Sequence, residues 1–380
     1  MEPMDNLART IVVSGYYGFQ NSGDEAVLHA IVTALRDEAK ALGAPAPRIV
    51  VLSGDPAETA RLHGVEATHR MRPLAVLGAL RRADALISGG GSLLQDVTSA
   101  KSVFYYLAVL RLGRWLRVPT FIYAQGVGPI RDRARFGPMI RSAFEKSRYI
   151  SVRDEESKAL VASFGVAAER VNVVPDPVMG MGLSLSSPPA SGSGASASPR
   201  IGVSVRFWRE DRSELARIAA ALQSVLAGRA DAKVALLPFH LPSDKLASEF
   251  IADRLREAGY GPDRVEVHGG AAHPSDMLRE VARCDLLVGM RLHSLIYAAT
   301  AGVPPVAVSY DPKIDQFMRR LGDAPVGDTD GLDADALASA VLERLEVGKN
   351  AWYGEKRAAI EEMQQNSRAP AQQIFRELRI

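Results

Sequence analysis

Arg291 and His293 sit just past the apolar run 285–289, and the stretch from Ser294 to Thr300 has helical character. A guanidinium and an imidazole delivered together to a strand-to-helix turn suit anion chemistry. Backbone N–H groups at a helix start favour a phosphate or carboxylate, the guanidinium fork orients it, and the imidazole can move a proton near neutral pH. A structural ion pair for Arg291 and a partly buried, satisfied ring for His293 would explain the same two residues.

Three further groups occupy equivalent positions. Arg206 follows the run Ile201 to Val205, His240 follows Val234 to Phe239, and Lys313 follows Val306 to Tyr310. Ligands of open α/β sheets bind beyond the carboxyl ends of the strands. Four such ends carrying cationic or titratable groups therefore predict a site for a small, densely charged anion.

Glycine-rich turns mark the first half. Gly15 to Glu25 follows the first strand-like run, but its spacing is not that of a dinucleotide loop, and Asp24 and Glu25 put negative charge where a pyrophosphate would sit. Two readings of this turn remain open: helix-capping acids, or Asn21 and Asp24 binding sugar hydroxyls, with Asp24 as a base towards one of them. Ser88-Gly89-Gly90-Gly91-Ser92 is a second strand-turn-helix junction. Three glycines there let a ligand approach the backbone, so Gly90, Gly91 and Ser92 are candidate binding residues. Gln125, in Gln125-Gly126-Val127-Gly128-Pro129, is a candidate for another wall.

These turns need strands and helices to hold them. Strand-like runs at 10–14, 48–53, 84–88, 120–124, 149–152 and 171–174 alternate with helical patterns, and a second series runs through 201–205, 234–238, 265–268, 285–289 and 305–309. This rhythm predicts an α/β fold of two doubly wound, Rossmann-like domains facing across a cleft in a GT-B-like arrangement, with C-terminal helices. The expected divisions are an acceptor-side domain over 1–180, a Ser/Gly/Ala/Pro linker over 181–199, a donor-side domain over 200–345, and helices over 346–380 that pack back on the first domain.

Composition narrows the partners. The 380 residues are 47% hydrophobic and 24% charged, with a net charge of +2, which argues against a dedicated nucleic-acid binder. Cys284 is the only cysteine, so neither an intramolecular disulfide nor a cysteine-rich metal site is expected, and no metal-ligand cluster stands out. No secretory signal or long apolar span is evident, which predicts a cytoplasmic protein. From Arg111 to Arg148 nine Lys and Arg face only Asp132 and Glu145, with Trp115 among them. That bias suits either a solvated helix face or peripheral contact with anionic lipid at the inner membrane face.

Taken together, the segments Gly15 to Glu25, Ser88 to Asp96, Ala124 to Pro129, Ser151 to Ser157 and Arg291 to His293 resemble the polysaccharide pyruvyl transferase family, and most of all its CsaB type. The resemblance runs in order from residue 10 to about residue 320. It implies transfer of the pyruvyl group of phosphoenolpyruvate to two hydroxyls of a sugar, giving a cyclic ketal and phosphate. For the CsaB type it further implies the 4,6-diol of N-acetylmannosamine in a lipid-linked cell-wall precursor, and surface-layer anchoring as the biology.

The residues suit that chemistry. Phosphoenolpyruvate carries a carboxylate and a phosphate, which Arg291 and Arg206 can clamp, with Lys313 as a point charge. His293 is the candidate general acid. No cofactor is expected. A nucleotide-sugar glycosyltransferase and a non-catalytic anion or sugar sensor are the rival readings.

Overall fold

Runs such as Ile11-Val12-Val13 and Leu286-Leu287-Val288 present no polar face, the pattern of strands covered by helices on both sides, and all six residues are fully buried. A computed structural model describes residues 8–96, 99–184, 198–271 and 273–379. The chain divides into two compact units, one of residues 1–20, 24–180 and 365–380, the other of 21–23 and 181–364. Most of the expected linker, residues 185–197, lies outside the described residues.

In the first unit β1 (Thr10–Ser14), β2 (Arg48–Ser53), β3 (Glu66–His69), β4 (Ala85–Gly89), β5 (Thr120–Gln125), β6 (Tyr149–Val152) and β7 (Val171–Val173) form one parallel sheet in the order β3-β2-β1-β4-β5-β6-β7. The second unit holds β8 (Arg200–Ser204), β9 (Lys233–Leu236), β10 (Val265–Val267), β11 (Leu286–Gly289), β12 (Pro305–Ser309) and β13 (Gly327–Asp328). They too are parallel, ordered β10-β9-β8-β11-β12-β13. Strand order therefore reverses between β1 and β4 and between β8 and β11, the two places where such sheets open a ligand crevice.

Both reversals are stapled the same way at the opposite, amino edge. Asp84 accepts the backbone N–H of Thr10 at 2.8 Å, and Asp285 accepts that of Arg200 at 2.8 Å. Each aspartate thus sits just before its strand, which is why β4 and β11 begin one residue later than the apolar runs suggest. Two strands are additional to those expected. β3 reads Glu-Ala-Thr-His, an edge strand with no apolar run, and β13 has two residues.

Beyond β13, helices span Ala334–Val347, Lys349–Asn366 and Ala369–Leu378, with breaks at Gly348 and just before Pro370. The last helix packs on β5 and β6 of the first unit. Lys349 caps the second unit by donating to the carbonyls of Ala282 and Cys284. Cys284 is buried, and burial pushes its thiol up to about 12. No helix among the described residues is long and apolar enough to cross a membrane.

Candidate active site

The order β9-β8-β11-β12 makes neighbours of the four strand ends that carry His240, Arg206, Arg291 with His293, and Lys313. Arg206 donates from Nη1 to the Tyr310 hydroxyl at 3.1 Å and lies over the rings of Tyr310 and Trp208 at 4.9 and 5.3 Å. Lys313 Nζ approaches the same Tyr310 ring at 5.8 Å and pairs with Asp311 at 2.8 Å. The loop bearing Arg206 is anchored from beneath: the fully buried Glu214 accepts the backbone N–H groups of Trp208 and Arg209 through Oε1.

Arg291 stands at the N-cap of the helix Leu292–Thr300 in extended conformation. Its guanidinium binds the fully buried carboxylate of Asp244 with two nitrogens, Nε to Oδ2 at 2.9 Å and Nη2 to Oδ1. Oδ2 also accepts the backbone N–H of His240 at 3.0 Å. Burial lowers the His240 pKa, the Arg291 charge lowers it next, and Arg206 adds to this against an opposing pull from Asp244. The imidazole is thereby biased towards its neutral form beside two guanidinium groups.

Within the same unit, Gly23 backs the His293 ring, and its neighbours Asn21 and Ser22 hold that turn in place. Ser22 N donates to the Phe239 carbonyl at 2.8 Å, Tyr297 Oη donates to the Ser22 carbonyl at 3.3 Å, and Asn21 bridges with His240. An added Cβ at Gly23 would fall 2.1 Å from His293 Nδ1, so only glycine leaves the ring where it is. Asn21 caps this turn by accepting the Gly23 N–H at 3.1 Å.

The first unit builds its own cluster where β1 and β4 diverge. The Tyr17 hydroxyl donates to the Gly89 carbonyl at 2.9 Å, tying the two loops. Gly90 and Gly91 have left-handed φ of 53° and 71°, and an added Cβ at Gly90 would fall 1.9 Å from Val27 Cγ1. The Asp24 carboxylate lies beside Gly91, 3.1 Å from where its Cβ would be. Glu25 is structural: it accepts the Gly18 N–H at 2.7 Å and bonds the buried His63 ring at 3.0 Å. Gln125 is fully buried, with Oε1 accepting the Ser88 hydroxyl, so its carbonyl oxygen is committed to the fold.

Ser92 is joined by a residue that reasoning from the sequence did not single out. Arg153, just past β6, donates from Nη2 to Ser92 Oγ at 3.1 Å and lies 3.5 Å from both Asp154 and Asp176. Gly126 leaves room for it, since a Cβ there would meet Nη2 at 2.8 Å.

With both edges described, comparison with known proteins assigns the chain. The family model for polysaccharide pyruvyl transferase matches residues 21–312. The chain belongs to that family. No curated protein matches it. Among solved structures, a UDP-N-acetylglucosamine 2-epimerase is similar with a TM-score of 0.66 at 9% identity, covering 97% of this chain and 96% of that one. The Neisseria meningitidis UDP-GlcNAc 2-epimerase bound to UDP-GlcNAc has a TM-score of 0.61 at 12% identity over 97% and 99%. Anabaena HepE in complex with UDP has 0.60 at 15% over 98% and 99%. At these identities the likeness shows the fold, a GT-B-like pair of doubly wound units, and says nothing of substrate.

For a pyruvyl transferase family member, Asp244 and Arg70 are further residues that the sequence did not offer. Asp244 is one acid in a helix-start region, 47 positions from Arg291. Arg70, buried after β3, is boxed by Tyr105, Tyr106 and Phe19 at 4.1, 5.1 and 5.5 Å and donates to the Gly15 carbonyl at 3.2 Å. Arg70 follows a strand that no apolar run announces, and Asp244 lies beyond the strand end that drew attention to His240. Arg153, by contrast, lies inside the Ser151 to Ser157 segment that carried the family resemblance, so that signal could have found it.

Proposed function

We propose that this enzyme transfers the pyruvyl group of phosphoenolpyruvate to a sugar diol. The observation that carries this reading is the set of Arg206, Arg291 and Lys313, with His240 and His293, on four adjacent strand ends of one sheet. A donor with a carboxylate and a phosphate on one carbon asks for several cations of different geometry, and two guanidinium groups, one of them oriented by Asp244, and an ammonium meet that need.

In this mechanism His293 protonates the methylene carbon of phosphoenolpyruvate, leaving a methyl group and an oxocarbenium-like centre. One sugar hydroxyl adds to that centre and passes its proton to the imidazole, restoring the acid. The second displaces the phosphate, its proton leaving with the phosphate, and the ketal ring closes. Arg206, Arg291 and Lys313 stabilise the phosphate as it departs, Asp244 orients Arg291, and the lowered pKa of His240 suits a neutral hydrogen-bonding partner. Asn21, Asp24, Gly90, Gly91, Ser92 and Gln125 are the residues assigned to the acceptor, with the carbonyl of Gln125 acting through Ser88 and Asp24 available as a base. The acceptor is a lipid-linked saccharide, with the 4,6-hydroxyls of N-acetylmannosamine the first choice, modified at the cytoplasmic face of the membrane for cell-wall assembly. The chemistry needs no cofactor.

The deciding experiment measures phosphate release from phosphoenolpyruvate with a lipid-like N-acetylmannosaminyl glycoside and a panel of other sugars, with mass spectrometry of the products. Phosphate coupled to a pyruvylated sugar is expected. Stabilisation by UDP-sugars, ligands of some fold neighbours, without any response to phosphoenolpyruvate would replace the reading with a glycosyltransferase.

A further inference from the structure

Charge is segregated in this chain to a degree that its net value of +2 conceals. The segments 70–82 and 101–148 contain 14 Lys and Arg against 2 Asp and Glu, leaving 32 against 42 for the remainder. These segments supply three helices, Pro73–Leu80, Ala100–Trp115 and Arg133–Glu145, whose buried residues share one apolar core on one face of the first unit's sheet. Their opposite sides face outward as a layer.

The same layer carries exposed apolar side chains. Leu74, Trp115 and Met71 are 83%, 74% and 66% exposed, the three highest values for any large hydrophobic among the described residues. On the helix Pro73–Leu80, Val76, Ala79 and Leu80 point into the core while Leu74 and Arg81 share the opposite side. Arg72 precedes this helix, Arg81 and Arg82 follow it, and residues 70–83 include no acid. Trp115 is flanked by the exposed Arg111 and Arg117. Part of the layer's charge is committed internally: Arg114 donates to the Ser142 carbonyl, Arg141 pairs with Glu145, and Arg135 lies over Phe104.

We infer that this helical layer is a docking surface for an anionic lipid bilayer, with Leu74, Met71 and Trp115 entering the headgroup region and the surrounding arginines paired with lipid phosphates. Charge complementarity selects an anionic partner, and apolar tips between the cations distinguish a bilayer from a nucleic acid, whose backbone offers nothing for leucine or methionine to enter. The inference deepens the reading of a membrane-borne acceptor, and rests on it only for what the surface brings within reach. Each arginine near an anionic surface strengthens binding about fivefold, and the apolar tips add insertion.

The test is co-sedimentation of the full chain with phosphatidylcholine vesicles, with and without about 30% phosphatidylglycerol, at low salt and at about 0.5 M salt. The expected result is binding to the anionic vesicles alone, reversed by salt. It should weaken at least tenfold in M71S/L74S/W115S and in R72S/R81S/R82S, and stay unchanged in L246S, an exposed leucine of the other unit. All these side chains are exposed, so circular dichroism should show unaltered folds. Failure to bind anionic vesicles, or binding indifferent to both triple variants, overturns the inference. So does RNA binding without vesicle binding, or a dimer that M71S/L74S/W115S dissolves. No turnover is read, so a failure here leaves the phosphate-release assay to judge the reaction separately.

Discussion

Asp244 grips Arg291 with both carboxylate oxygens and accepts the backbone N–H of His240 with one of them, so a single buried carboxylate ties the ends of β9 and β11 together across the end of β8. That edge of the sheet is thus organised from below by an acid that has no exposed surface.

Removing it should show first in stability. Asp244→Ala leaves a mostly buried guanidinium without its counter-charge, a loss of about 3–5 kcal/mol. Denaturant unfolding should report a reduction of that size. A change within about 0.5 kcal/mol would mean that Arg291 finds another partner, and the ordering role would be withdrawn.

His293 and Gly23 form a second test. His293→Ala should abolish phosphate release with an unchanged circular dichroism spectrum. Gly23→Ala, which forces the ring to move, should lower kcat at least about tenfold while the imidazole remains present. Full turnover in either variant would remove His293 from proton transfer.

Arg206 and Lys313 separate fork from point charge. Arg206→Lys keeps the charge but loses the planar fork that meets Tyr310, and should raise KM for phosphoenolpyruvate about tenfold or more. Lys313→Arg should be much milder. Equal effects would contradict the roles assigned to the two side chains.

His240 provides a pH signature. Its folded pKa lies below the 6.5 of an ordinary imidazole, so as pH falls through 6.5 the unfolded chain takes a proton that the folded chain does not. Stability is then lost towards acid and recovered above 6.5. His240→Gln removes that contribution, and melting temperatures at about pH 7.5 and 5.5 should differ less in the variant than in the parent. An equal or larger difference would place the acid sensitivity elsewhere.

Much of this arrangement is legible in the sequence. Buried parallel strands read as unbroken aliphatic runs, so the strand ends bearing Arg206, His240, Arg291 and Lys313 could be located from the sequence, and the sheet order makes those four ends neighbours. What could not be read depends on pairing across distance. Asp244 looks like any acid near a helix start until Arg291 is found beside it, and Arg70 follows a strand whose only apolar residue is Ala67. Gln125 ends β5 beside the candidate turn, yet its carbonyl is spent on Ser88, a commitment that composition and spacing do not encode.

Cys284 packs in the core of the second unit. It is the chain's one thiol, shielded by the core and holding its proton to about 12, and it will ignore maleimides at neutral pH. The native background is therefore silent to labelling. A pair of surface cysteines, one placed in each unit, could be coupled to fluorophores without first stripping the natural residue, opening the motions of this enzyme to single-molecule distance measurements during turnover.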